Sequence, residues 1–140
     1  MNKLWILFGF LSALFAALVA IFGKIGVKNI DTTLATTVRA VIMALFLIIA
    51  SLVLGKQSLI SQINSKAMLF IVLSGIAGAL SWLSYFLALK IGEVKGVAVL
   101  DRFSVVLAIL LAALFLGESI TVKNWIGMIL ITAGLLLFIF

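Results

Sequence analysis

The chain has 140 residues and a net charge of +6, and 66% of its residues are hydrophobic while only 10% are charged. A soluble domain has about 25% charged residues, so this chain lacks the polar side chains needed to cover its own surface. It contains no cysteine or histidine and only four scattered acids, which excludes thiol and imidazole chemistry and does not favour a metal site. The composition predicts a membrane protein that is not an enzyme and uses no cofactor.

Five apolar runs are long enough to cross a membrane. A spanning helix needs about 20 apolar residues, whereas membrane strands have about 10 residues with strict alternation. The sequence therefore predicts an all-α membrane protein, with one transmembrane domain over residues 1–140. The predicted spans 1 to 5 cover residues 4–22, 35–54, 67–89, 96–116 and 125–140. Gly23, Gly55 and Gly117 follow spans 1, 2 and 4, where C-terminal caps are expected, and Thr121 is the expected N-cap of span 5.

Lysine and arginine are distributed almost evenly between the two faces that five spans define. One face carries four lysines, and the other carries four lysines plus two arginines if those near span ends are counted. A fixed orientation normally shows a cationic excess on the cytoplasmic side. Two interpretations stay open: dual topology, with two copies paired antiparallel, or a fixed orientation with the second face cytoplasmic. The lysines and arginines are spread singly between the apolar runs and form no basic stripe. This distribution favours contact with lipid head groups over binding of nucleic acid.

The small size of the chain also favours pairing with a second copy. Five helices barely surround a substrate-sized cavity, and many secondary transporters consist of two inverted repeats with the site between them. No convincing repeat is present within the 140 residues. The sequence therefore predicts an antiparallel homodimer embedded in the lipid bilayer.

Four charged residues and one tyrosine lie within or near the ends of spans, on the side of the loops that follow spans 1 and 3. They are Lys24, Arg39, Tyr85, Asp101 and Arg102. Charges inside a membrane are costly, so such residues face the bundle or a wet cavity. The pattern predicts an off-centre polar layer that binds the substrate. Its cationic surplus favours an anionic or zwitterionic small molecule.

The charged residues also have structural interpretations. Asp101 could neutralise Arg39 or Lys24 and hold helices in register, and Lys24 could extend to the lipid head groups. On a continuous helix Arg102 is rotated from Asp101 by about 100°, so the two are expected to take different partners. Any proton coupling is expected to use Asp101.

The aromatic residues differ in their depth in the membrane. Trp5 and Trp125 lie at span ends, as expected for interfacial residues. Trp82 lies deep in span 3, so Trp82 and Tyr85 are predicted to line the cavity, with plain packing as the alternative. Ser104, on the same predicted face as Asp101, completes the substrate-binding set. Small residues recur at helical spacing in spans 1 and 3, which predicts close helix packing at Gly9, Gly75 and Gly78.

The second half of the chain contains a recognisable order of motifs. Residues 100–106 read LDRFSVV, residues 114–118 read LFLGE, and residues 124–127 read NWIG, followed by Gly134. Together with Trp5, the Phe22-Gly23-Lys24 exit of span 1 and Arg39, these motifs resemble the EamA domain of the drug/metabolite transporter superfamily. The resemblance covers nearly the whole chain. The length and the five spans are similar to the single-domain bacterial and archaeal branch.

The resemblance implies a fold and an activity. Full-length relatives have ten helices in two inverted halves, so this chain is expected to form one half and to work as a homodimer in the plasma (inner) membrane. The implied activity is export or exchange of a small organic metabolite by alternating access. The resemblance also implies packing roles for Gly127 and Gly134 and a structural role for Glu118.

The sequence departs from its relatives at two points. Family members often have a proline in the fourth helix, whereas this chain has none, and Ser104 lies near the expected position. The related small multidrug resistance proteins use an acid in their first helix, which span 1 lacks, so their proton exchange is not expected here. Two other functions remain open: a lipid-substrate flippase of the same superfamily, or a non-transporting membrane assembly subunit.

Overall fold

The computed structural model describes residues 3–140, and every regular element in that range is helical. Five stretches are long and apolar enough to cross a membrane, with α4 and α5 together forming the fourth. This confirms the prediction of an all-α membrane protein with five spans. The elements are α1 (Leu4–Gly26), α2 (Thr32–Val53), a 3-10 helix (Lys56–Gln62), α3 (Ser65–Ile91), α4 (Val94–Asp101), α5 (Phe103–Leu116) and α6 (Val122–Ile139).

Side-chain caps start three of the helices, and the cap of α3 is Asn64, whose side-chain oxygen accepts from the Ala67 backbone N–H at 2.8 Å. Asp31 caps α2 by accepting a hydrogen bond from the Leu34 backbone N–H at 2.9 Å. Thr121 caps α6 by accepting from the Asn124 backbone N–H at 3.3 Å, as predicted. Each cap satisfies a backbone donor that the first turn of a helix otherwise leaves unpaired.

Two of the three predicted glycine caps are correct. Gly55 and Gly117 have φ angles of 63° and 69°, which glycine adopts without the steric cost that a Cβ brings. The prediction for Gly23 is wrong, because α1 continues through that residue to Gly26.

Gly23 serves close packing instead of helix termination. A Cβ at this position would lie 3.3 Å from Leu89 Cδ1 and 3.4 Å from two ring atoms of Phe86. The missing side chain lets the end of α1 approach α3. This approach offsets the helix-propensity cost of an interior glycine, which is about 0.5–1 kcal/mol.

The fourth span is interrupted at Arg102, where a continuous helix was expected. The Arg102 N–H donates to the Val99 carbonyl at 3.0 Å, and the Val105 N–H donates to the Arg102 carbonyl at 3.0 Å. These bonds join residues three apart, which tightens the helix locally. The interruption occurs without proline or glycine at the break.

The chain divides into two compact units, Gly23–Lys90 and a second unit formed by the segment before Gly23 together with Ile91–Phe140. The interpretation of residues 1–140 as one EamA-like domain remains a prediction. In the second unit, α6 packs against both α4 and α5. The buried residues in Gly23–Lys90 are Val27, Thr36, Phe86 and Leu89, and those in the other unit are Ala20, Val106, Met128 and Leu135.

Most apolar side chains of the spans are exposed. At most 11% of the most apolar stretch of any span is buried inside the chain. Exposure of so much apolar surface to water is strongly unfavourable, so lipid or another copy of the protein must cover it.

Candidate functional site

The Gly23–Lys90 unit brings Arg39 of α2 onto an aromatic cluster of α3. The Arg39 guanidinium carbon lies 3.6 Å from the centroid of the Trp82 ring and 5.6 Å from that of Phe86. Both distances lie within the range of a cation–π interaction. The contact joins two residues that the sequence analysis assigned to the substrate-binding set.

Arg39 and Trp82 lie at matching depths in their helices. Arg39 is seven residues after the first residue of α2, and Trp82 is nine residues before the last residue of α3. These separations correspond to about 10–14 Å along the helix axis. The pair therefore lies inside the membrane-spanning part of the chain.

The hydrogen-bond donors of Arg39 are unused within the described residues 3–140. Arg39 is half-buried, and it makes no ion pair or side-chain hydrogen bond there. Asp31 is the one acid in Gly23–Lys90, and its carboxylate caps α2. Because the ring contacts the guanidinium through its π face, the N–H edge can bind a carboxylate or phosphate in bidentate fashion.

Three aromatic side chains of α3 form a cluster, and the guanidinium lies over one of them, Trp82. Trp82 and Tyr85 meet edge to face, with ring centroids 5.7 Å apart and an interplanar angle of 81°. Phe86 lies 5.8 Å from Trp82 and 6.3 Å from Tyr85. Sequence reasoning missed Phe86, although its spacing of four residues from Trp82 places both on one helix face.

Lys24 has a clear structural contact. Its Nζ donates a hydrogen bond of 2.5 Å to the Leu89 carbonyl near the end of α3. Lys90 makes a parallel link, since its Nζ donates to the Ile30 carbonyl at 2.9 Å. Cations are favourable near the C-terminus of a helix, where carbonyls lack helical partners. Lys24 thus ties the end of α1 to the end of α3, and contact with a substrate remains a prediction.

The other predicted site residues lie in the second unit. Arg102 Nη2 lies 3.6 Å from Asp101 Oδ2, and both side chains are partly exposed. The expectation that they take different partners is wrong, because the two side chains pair with each other. Ser104 is exposed in the first turn of α5, directly after the interruption.

The predicted packing glycines have open surroundings. A Cβ built on any of the five would meet no atom within 4 Å, outside its own helix backbone and chain neighbours. Close helix packing at these positions remains a prediction. The five are Gly9, Gly75, Gly78, Gly127 and Gly134.

The α5–α6 pair forms two cavities of different character. One is an apolar groove of about 390 Å³ that includes Val106, Trp125 and Met128. Its one hydroxyl, from Thr132, donates to the Met128 carbonyl at 2.8 Å. The other, of about 360 Å³, includes the polar residues Glu118, Ser119 and Asn124. Within residues 3–140, no group of three or more acids, histidines or cysteines converges as metal ligands would.

Comparison with known proteins identifies the family of the chain. Residues 3–140 match the EamA-like transporter family. A protein of Sinorhizobium sp, named "Uncharacterized transporter in cobO 3'region", is 41% identical over 137 residues, which cover 98% of this chain and 97% of that protein. No solved structure matches the chain.

Proposed function

The chain belongs to the EamA-like transporter family, and on this premise we propose that it is a secondary transporter of a small organic metabolite with a carboxylate or phosphate group. The observation that carries the proposal is Arg39. This guanidinium lies in a membrane span, 3.6 Å from the Trp82 ring centroid, and its donors have no protein partner within residues 3–140.

The electrostatic cost of Arg39 supports an anionic substrate group. A charge costs about 2.5–3.5 kcal/mol at the centre of a spanning helix and less towards its ends, and Arg39 lies seven residues after the start of α2. The π contact with Trp82 offsets part of this cost, but no acid within Gly23–Lys90 neutralises the charge, because Asp31 caps α2. A bound carboxylate or phosphate would supply the missing counter-charge.

The aromatic side chains would contact the rest of the substrate. One face of Trp82 is covered by the guanidinium, so the substrate meets the other face or the ring edge. Tyr85 lies edge to face with Trp82 and presents both an apolar ring and a hydroxyl. This combination suits a small zwitterionic or anionic metabolite with an apolar part.

The working unit in this proposal is an antiparallel dual-topology homodimer in the plasma membrane. The balanced charge tally supports it, and so do the exposed apolar helix faces and the open surroundings of the five glycines. The Sinorhizobium relative is matched over 97% of its own length, so it is also a short chain. Alternating access would arise as one bundle rocks against its inverted copy.

Flux through liposomes tests the role of Arg39. The liposomes are loaded with unlabelled L-glutamate or 3-phosphoglycerate. We expect the wild-type protein to take up the labelled form of the same compound in exchange for the unlabelled compound inside. Arg39→Met should lower the rate about tenfold or more, because a charged hydrogen-bonding partner is lost, and Arg39→Lys should lower it less. Lys28→Met removes one cation from the α1–α2 connection and should leave the flux unchanged.

A parallel variant tests Asp101. Asp101→Asn should lower flux if this acid takes part in the transport cycle, with thermal unfolding used to confirm that each variant is folded. If both Arg39→Met and Asp101→Asn carry the probes at the wild-type rate, neither residue belongs to the site. Absence of flux for both probes in the wild-type protein would favour the assembly-subunit alternative.

The apolar groove between α5 and α6 favours one second candidate, the lipid flippase. Its volume of about 390 Å³ and its apolar lining suit a hydrocarbon chain. A flippase assay in proteoliposomes tests this candidate. Dithionite quenches a fluorescent phospholipid only in the outer leaflet, so the fraction that is quenched measures movement of the lipid between leaflets. Lipid movement that persists in Arg39→Met, without glutamate or phosphoglycerate flux, would favour it.

A further inference from the structure

Glu118 differs from the other three acids of the chain in having no partner for its carboxylate within residues 3–140. Asp31 accepts from the Leu34 N–H, Glu93 pairs with Lys95 at 2.9 Å, and Asp101 pairs with Arg102. Glu118 is exposed, so its carboxylate is accessible to a ligand. It is the one acidic side chain without a hydrogen-bond or ion-pair partner within residues 3–140.

The backbone holds Glu118 at the mouth of a cavity. The N–H groups of Gly117 and Glu118 both donate to the Ala112 carbonyl, and Gly117 adopts a left-handed φ of 69° that reverses the chain. This tight turn fixes where the Glu118 side chain begins. The cavity that it borders has a volume of about 360 Å³.

The wall of the cavity is mainly apolar, and all but one of its apolar residues come from α5. The polar residues are confined to the connection and the first turn of α6: Glu118, Ser119 and Asn124. The apolar lining residues are Val105, Ala108, Ile109, Ala112 and Ile120.

Within residues 3–140, no lysine or arginine lines the cavity. Lys123 is adjacent to Asn124 in sequence, but it does not line the cavity and makes no ion pair with Glu118 within 4.0 Å. Thr121 and Asn124 bond to each other in the cap of α6. The charge that a ligand meets at the mouth is therefore the Glu118 carboxylate.

We propose that this cavity binds a protonated amine carried on an apolar body, with the ammonium group on Glu118 and the apolar body against α5. A carboxylate is an acceptor-only anion that bonds well to an ammonium group. The volume lies near the lower end of the range of about 300–1,000 Å³ for ligand pockets. The lining residues of this cavity do not include Arg39, and its carboxylate selects the opposite charge.

Two sources can supply this chemistry, because the cavity lies where a span ends and another begins. One is a free amphipathic amine, and the other is the head group of phosphatidylethanolamine. Both present an ammonium group next to apolar material. The test below separates them by varying the lipid around the protein.

Calorimetric titration of the full chain in phosphatidylcholine nanodiscs tests the site. Phenethylammonium should bind, and 2-phenylethanol, which has a similar body without the charge, should bind more weakly. Glu118→Gln should weaken phenethylammonium binding about tenfold and leave 2-phenylethanol binding unchanged. The matched control Glu93→Gln removes the same charge from an exposed pair outside the cavity, and it should bind both probes as the wild-type protein does.

A second variant probes the apolar wall. Ala112→Leu should fill the cavity and weaken both probes, while circular dichroism reports whether the helices persist. In nanodiscs that contain phosphatidylethanolamine, weaker apparent binding of phenethylammonium to the wild-type protein identifies the lipid as an occupant, and unchanged binding identifies a free amine.

Three results would overturn the proposal: no phenethylammonium binding to the wild-type protein in phosphatidylcholine, equal binding of the amine and the alcohol, or equal binding of the amine to wild-type and Glu118→Gln protein. Arg39→Met should bind phenethylammonium normally, so this test is independent of the transport proposal.

Discussion

The guanidinium carbon of Arg39 lies 3.6 Å from the centroid of the Trp82 ring, within the membrane-spanning parts of α2 and α3. The ring face stabilises the cation and orients it, while its N–H edge has no protein partner within residues 3–140. This pair links the stability of the Gly23–Lys90 unit to its proposed affinity for anions.

A double-mutant cycle measures the Arg39–Trp82 contact. Arg39→Met and Trp82→Leu each remove one partner, and the coupling free energy is expected to be about 0.5–2 kcal/mol. The measurement is the free energy of unfolding in mixed micelles for the wild-type, single and double variants. Trp5→Leu is the matched control, since Trp5 is 70% exposed, and it should be additive with Arg39→Met. Additivity between Arg39→Met and Trp82→Leu would contradict the contact.

Lys24→Met should destabilise the chain, because the Leu89 carbonyl loses a charged donor at 2.5 Å. Loss of a partner that leaves a polar group unsatisfied costs about 1–3 kcal/mol. The unfolding midpoint in micelles reports this loss. Lys28→Met, which removes an exposed lysine four residues away, should have little effect. Equal stability of the two variants would show that the Lys24 bond contributes nothing.

Substitution of Gly23 should be costly in proportion to the size of the new side chain. Gly23→Ala places a Cβ 3.3 Å from Leu89 Cδ1 and requires a small shift, whereas Gly23→Leu overfills the contact at a cost of about 1–3 kcal/mol. Gly26→Leu is the control, because a Cβ there meets no atom within 4 Å. Thermal unfolding should rank Gly23→Leu below Gly23→Ala, with Gly26→Leu near the wild-type protein. The reverse order would refute the packing role of Gly23.

The sequence predicted the five spans because length and hydropathy are local properties, and it predicted the Thr121 cap because the capping side chain acts within one turn. It did not predict the role of Gly23, which depends on Leu89 and Phe86, more than 60 residues away in the chain. A glycine after an apolar run is typical both of a cap and of a close approach. Only the tertiary contact distinguishes these two roles.

Prediction of the site was similarly incomplete. Arg39, Trp82 and Tyr85 were identified because polar and aromatic groups inside a span are unusual. The stacking of Arg39 on Trp82 was not foreseen, because nearly uniform apolar spans do not show which helix faces meet. The interruption at Arg102 has no proline or glycine to mark it, so Asp101 and Arg102 were placed on one continuous helix.

The Asp101–Arg102 pair should contribute little to stability. Its atoms are 3.6 Å apart and both side chains are partly exposed, and such pairs contribute about 0–1 kcal/mol. Asp101→Asn and Arg102→Met should therefore each lower the free energy of unfolding by no more than about 1 kcal/mol. Measurement in micelles at low and high salt checks this, since screening should remove most of the difference. A larger loss that persists in high salt would show that the pair holds the helix interruption in place.

Topology in the cell tests the central claim, that the working unit is two copies inserted in opposite directions. The chain has no cysteine, so Gln57→Cys in the 3-10 helix and Asn29→Cys in the α1–α2 connection each provide a single label site. Labelling with an impermeant thiol reagent is measured in intact cells, relative to the same cells after permeabilisation. Dual topology predicts labelling of about half of the molecules at both positions. Complete labelling at one position and none at the other would contradict it.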